Sequence, residues 1–139
     1  MKSNRIVTLG LLALALLISV PSIFAQELVR AKVPFDFKVG NTAMPAGSYT
    51  ISSVSQSAIS ISNRQEHAGV LAVVRSEYAN KDQSPKLVFH KYGDQYFLAQ
   101  IWTGSGNAGK QLPESKLEKE LLASNHGAIA EEEIVIALN

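Results

Sequence analysis

Two apolar-rich runs, Lys86-Leu-Val-Phe-His-Lys-Tyr92 and Gln95-Tyr-Phe-Leu-Ala-Gln-Ile-Trp102, flank the dipeptide Gly93-Asp94, and this pattern constrains the fold more than any other stretch. Glycine at the first corner of a two-residue connection suits a type II′ turn, whose twist matches that of paired strands. The register then sets Tyr92 opposite Gln95, His90 opposite Phe97, Phe89 opposite Leu98 and Val88 opposite Ala99. Leu87, Phe89, Tyr96, Leu98 and Trp102 share one face, and Val88, Phe97, Ala99 and Ile101 the other. Both faces are apolar, so both need cover.

Shorter strands are expected before this hairpin. Val29, Ala31, Val33, Phe35, Phe37 and Val39 alternate with Arg30, Lys32, Asp36 and Lys38, the period of two expected of a strand with one buried and one wet side. Pro34 has no amide donor and belongs at a sheet edge or a bulge. Gly40-Asn41 and Met44-Pro-Ala-Gly47 are turn sequences. Tyr49, Thr50, Ile51 and Val54 resume a strand, and Ala58-Ile-Ser-Ile-Ser62 alternates strictly. Val70-Leu-Ala-Val-Val74 is apolar without alternation, which predicts a central strand covered on both faces.

After the hairpin, residues 113–124 are rich in helix formers, with Pro113 at the start and Gly127 beyond the end. Leu117, Leu121 and Leu122 make a narrow apolar stripe, so this helix is expected to lie on a sheet with its Glu and Lys side chains in solvent. Glu131-Glu-Glu133 precedes a closing strand, Ile134-Val-Ile-Ala-Leu138, and is read as a solvated gatekeeper segment. Seven or so short strands with one late helix predict a mainly β fold, either an antiparallel β-sandwich or a small open β-barrel, with an α-helix in the C-terminal region. The polar loops, residues 76–85 and 103–112, are the places where function would sit on such a scaffold.

The first 25 residues read as a signal peptide. Lys2 and Arg5 precede an apolar run from Ile6 to Val20, followed by Pro21 and by Ser22-Ile23-Phe24-Ala25, a small-residue cleavage site. The run is shorter than the about 20 apolar residues of a membrane span, so the expectation is cleavage, with residues 26–139 forming a single β-rich exported domain, periplasmic or extracellular. There is no cysteine, which excludes both a lipidated amino terminus and disulfide cross-links; the fold must be held by packing. Removing the leader leaves 11 basic residues against 12 acidic ones. That balance gives no basic surplus for nucleic acid, and no integral membrane span is expected after cleavage.

No motif for chemistry stands out. Gly104-Ser-Gly-Asn-Ala-Gly-Lys110 has phosphate-loop spacing, but Gln111 occupies the place of the magnesium-binding Ser or Thr, so the stretch is read as a flexible connection. His67, His90 and His126 have no histidine or acidic partner at ligand spacing, so no metal or other cofactor is expected. No serine lies in a nucleophile elbow. A barrel spanning a membrane conflicts with the charged strand 30–38 and with the helix. Tyr92, Tyr96 and Trp102 are the binding candidates, because aromatic side chains near loop ends can stack on sugars or apolar ligands.

Three segments, Val33-Pro-Phe-Asp-Phe-Lys-Val-Gly40, Met44-Pro-Ala-Gly-Ser-Tyr-Thr-Ile51 and Leu87-Val-Phe-His-Lys-Tyr-Gly-Asp-Gln-Tyr-Phe-Leu98, resemble uncharacterised small exported proteins of Acidobacteria and similar soil bacteria. The resemblance covers nearly the whole mature chain, and it carries over no catalytic residue, ligand or partner. The Pro-Ala-Gly-x-Tyr turn is also similar to turns of extracellular β-sandwich modules. The expectation is a noncatalytic exported domain with a role in binding, adhesion or envelope structure, its partner an unidentified ligand or an envelope protein. The alternative is a small secreted hydrolase or carbohydrate-active protein, which would need a deep pocket holding Trp102 beside converging acids.

Overall fold

Turn chemistry cuts the chain into short strands. A computed structural model describes residues 26–124 and 131–138; the expected leader, Gly127 and His126 lie outside the described residues. The order is β1 (Gln26–Val33), β2 (Phe37–Val39), β3 (Thr42–Met44), β4 (Gly47–Ser55), β5 (Ala58–Asn63), β6 (Ala68–Val73), β7 (Arg75–Tyr78), β8 (Lys86–Tyr92), β9 (Gln95–Trp102), β10 (Ala108–Gln111), α1 (Lys116–Ser124) and β11 (Glu131–Ala137). One antiparallel sheet runs β1-β4-β5-β6. The other runs β11-β8-β9-β10-β7, antiparallel throughout, and the β2–β3 hairpin joins β9 through a parallel bridge between Lys38 and Phe97. The sheets do not close into a barrel; the fold is sandwich-like, mainly β, with one helix near the C-terminal end of the described residues.

Period-two patterning accounts for the inner faces. Ala31 and Val33 of β1, Tyr49 and Ile51 of β4, and Ile59 and Ile61 of β5 point inward from the smaller sheet, against Leu87, Phe89, Leu98 and Ile101 of the larger one. Phe37 links the layers: its ring lies edge-on to Tyr49 at 5.1 Å and to Phe89 at 5.4 Å. Edge-to-face pairs of this kind add to the stabilisation from burial alone.

The alternation from Val29 to Val39 holds as a burial pattern but not as one strand. Pro34 ends β1 by removing a ladder donor, the chain crosses to the other sheet, and Phe37 and Val39 enter the same core from β2. Asp36 Oδ1 accepts a hydrogen bond from the Ala46 amide at 2.8 Å and pins this crossing. Phe35 sits at the rim, stacked on Tyr96 at 4.0 Å.

Val70–Val73 is not central. β6 is an edge strand that alternates in and out, leaving Leu71 71% and Val73 67% exposed; a short apolar run does not reveal which of its faces another layer covers. The glycine-bearing loop is not a free connection either. Residues 108–111 form β10, paired with both β7 and β9, and the Lys110 Nζ donates to the Gln56 carbonyl at 3.0 Å. A strand, not a helix, follows the glycines, which removes the architecture a phosphate loop requires.

The hairpin register holds from Tyr92–Gln95 through His90–Phe97 to Phe89–Leu98, and Gly93 has φ 65°, as its turn type requires. It then slips: Val88 faces Gln100, not Ala99. Ala99 is the extra residue of a β-bulge, so Ile101 turns into the sandwich core, and Trp102 moves to the opposite face. There the indole lies on Gly109, where a Cβ would come within 2.6 Å of the ring.

Two outcomes check this packing. Phe37→Ala removes a side chain that is 4% exposed and is expected to cost about 3–5 kcal/mol, lowering the thermal midpoint by about 10 °C or more, with Phe35→Ala costing less and Asp94→Ala little. Gly109→Ala is expected to displace the indole, seen as a shifted Trp102 fluorescence maximum together with a lowered midpoint.

Candidate functional site

The β9 bulge also builds the second face of the larger sheet. Val88 and Tyr92 of β8, with Phe97, Ala99 and Trp102 of β9, are buried there, outside the sandwich core. Strand parity places His90 on the same side, between Val88 and Tyr92. The Tyr92 ring meets Phe97 at 5.8 Å and His90 at 6.4 Å.

The segment leading to α1 is anchored at the bulge, where the Leu112 amide donates to the Ala99 carbonyl at 2.8 Å. The helix starts at Lys116, three residues later than the Pro113 start expected from composition, because Ser115 caps it. The Glu118 amide donates to Ser115 Oγ at 3.1 Å, and the Ser115 amide donates to Glu118 Oε2 at 2.9 Å. This reciprocal Ser-x-x-Glu capping box satisfies two amides that a helix start leaves without partners. It also turns Glu118 inward to 5% exposure, against the expectation that the helix acids all face solvent.

Glu118 thereby meets His90. The imidazole Nδ1 lies 3.7 Å from Glu118 Oε1 and 3.4 Å from Glu131 Oε1 of β11, and neither approach is aligned as a hydrogen bond. β11 pairs with β8 so that Glu131 is opposite Tyr92 and Glu133 opposite His90. Interaction with the Glu118 carboxylate does most to raise the His90 pKa above its ordinary 6.5; burial opposes this, and the charges of Glu131, Glu118 and Glu133 add to it. The Tyr92 hydroxyl is buried without a hydrogen-bond partner, and its pKa is pushed up to about 12 by burial first and by Glu131, Glu118 and Glu114 next. It stays a neutral O–H across the physiological range.

His90 has no acidic partner at ligand spacing in the sequence, but tertiary structure brings two acids to it; Glu131–Glu133 are exposed, as expected of a solvated segment, and Glu131 contributes one of these contacts. Glu131 reaches His90, and Glu132, on the other side of β11, pairs with Lys91 at 3.4 Å. His67 lies exposed in the β5–β6 connection with φ 50°. Among the described residues, no three His, Asp or Glu side chains converge as metal ligands.

Beside this cluster is a cleft of about 530 Å³ between α1 and the sheet. Its apolar lining comes from Val73, Leu98, Ala99, Leu112 and Pro113. Its polar groups are Arg75, His90, Gln111, Glu114, Glu118 and Lys119. Its volume lies within the range of small-molecule sites.

The three aromatic candidates separate. Tyr92 is buried beside the acid–histidine cluster. Trp102 is buried at 5% exposure, with its Nε1 donating to Gln100 Oε1 at 3.1 Å, and it does not line the cleft. Tyr96 lies on a different hollow of about 380 Å³ with Asp36, Lys38 and Asp94, and Phe35 stacks on its ring. The sequence signals that point to the missed residues are Ser115-x-x-Glu118 and the shared parity of His90 with Tyr92 and of Glu131 with Glu133. The pairing of β11 with β8, which joins them, has no local signal.

No protein-family model matches the chain, and no curated protein or solved structure matches it.

The raised His90 pKa has a definite pH signature. The stabilisation from its carboxylate partners is fully present below the unfolded value of 6.5 and is lost as pH rises through the higher folded value. Urea midpoints measured from about pH 6 to about pH 9 are expected to fall with rising pH in the native protein and to lose that component in His90→Gln.

Proposed function

We propose that this chain is an exported, noncatalytic β-domain with a binding role in the cell envelope or outside the cell, and that the cleft beneath α1 is its ligand site. The observation that carries the reading is the lining itself: convergent polar groups around an apolar floor, with no Ser, Thr or Cys among them to act as a nucleophile. The Glu118 carboxylate is engaged with the Ser115 amide and faces His90, so the strongest acid–base pair in the cleft serves to hold α1 on the sheet.

Export is supported by the leader-like residues 1–25. Among the described residues, no helix is long and apolar enough to cross a membrane. The partner is accordingly a ligand, or an envelope protein presenting one, of a size that enters the cleft.

Protein recovered from periplasm or culture fluid is expected to begin at Gln26 and to carry a noncovalent small-molecule adduct in native mass spectrometry. Gln111→Trp, which fills the cleft from a half-buried position, should remove the adduct while preserving the thermal midpoint. Recovery of uncleaved chain from the cytosol would refute export, and conversion of the adduct into a product would refute the noncatalytic reading.

A further inference from the structure

Two cations on the cleft have no ion-pair partner among the described residues. Arg75, at the start of β7, and Lys119, on the first turn of α1, are both exposed and both line the cleft. Glu118, the buried acid of the same wall, is already compensated by the Ser115 amide and by His90. Glu114 is the remaining anion of the lining. Besides these charges the lining holds Gln111 and His90 and an apolar part, Val73, Leu98, Ala99, Leu112 and Pro113, of which Val73 is 67% exposed.

An exposed guanidinium and ammonium bordering an apolar floor are complementary to an anion with an apolar body. A guanidinium matches a carboxylate in particular, because its parallel N–H groups can meet both oxygens. The apolar side chains of Ala99, Leu112 and Pro113 offer no hydrogen bond, so the hydroxyls of a polyhydroxylated ligand laid over them would be desolvated without partners. Resting on the cleft as the ligand site, we infer that its ligand is an amphipathic carboxylate, the carboxylate held by Arg75 with support from Lys119 and the apolar body lying over Ala99 and Leu112.

Octanoate, octylammonium and acetate, titrated separately into 15N-labelled mature protein, separate charge from apolar content. Octanoate is expected to shift the amides of Ala99, Gln111 and Lys119 saturably, while octylammonium and acetate leave them in place. Arg75→Gln, an exposed position whose fold is checked by an unchanged thermal midpoint, should weaken octanoate about tenfold, and Lys119→Gln should weaken it less. Octylammonium binding at these amides as tightly as octanoate, or octanoate affinity indifferent to Arg75→Gln, overturns the ligand class while leaving the cleft as a site. Silence of these amides toward all three probes overturns both.

Discussion

One extra residue in β9 organises both sides of the larger sheet. In an unbroken hairpin Leu98 and Ile101 would point to opposite faces, and the sandwich core would lose one of them. The bulge at Ala99 lets both enter the core with Phe89 and Leu87, and it turns Trp102 outward onto Gly109. A bulged residue is also left without a place in the β8–β9 ladder. Its carbonyl accepts from Leu112, which fixes the path by which the chain leaves β10 and enters α1. Core, helix platform and cleft share this origin.

On the platform, charged groups add specific ties to the burial of Val88, Tyr92 and Phe97. α1 spans only Lys116–Ser124, too short to be stable by itself, and two of the leucines expected to anchor it, Leu117 and Leu121, are only partly buried. The capping box and the approach of Glu118 to His90 supply specific ties. His90 also faces Glu131, so one imidazole connects β8, α1 and β11. A carboxylate 5% exposed is costly to leave without a counter-charge, which makes the protonation of His90 a property of the helix contact as much as of the histidine.

The same arrangement divides the charged groups of this cleft into two kinds. The acid and base nearest each other are occupied in holding the helix, whereas Arg75 and Lys119 stand on the lining without internal partners among the described residues. Groups whose charges are already answered within the fold shape the cleft, and those left unanswered are the ones the proposed ligand would meet. Tyr92 belongs to neither kind: it does not line the cleft, its hydroxyl is buried and neutral, and its ring packs between His90 and Phe97.

What the sequence determined by itself is what depends on neighbours along the chain. Alternation marked Ala31, Val33, Ile59 and Ile61 as inward; Gly93 placed the hairpin turn; the run after Glu133 marked the closing strand, which begins three residues earlier, at Glu131; the absence of cysteine left packing as the means of cohesion. Tertiary structure alone decided which strands lie at edges, where β9 bulges, and that Glu118 and Glu131 converge on His90. The physical reason is range. Strand period and turn conformation are set by sterics within a few residues, whereas the approach of Glu118 and Glu131 to His90 exists only once β11 pairs with β8 and the capped helix settles against the face that the bulge has built.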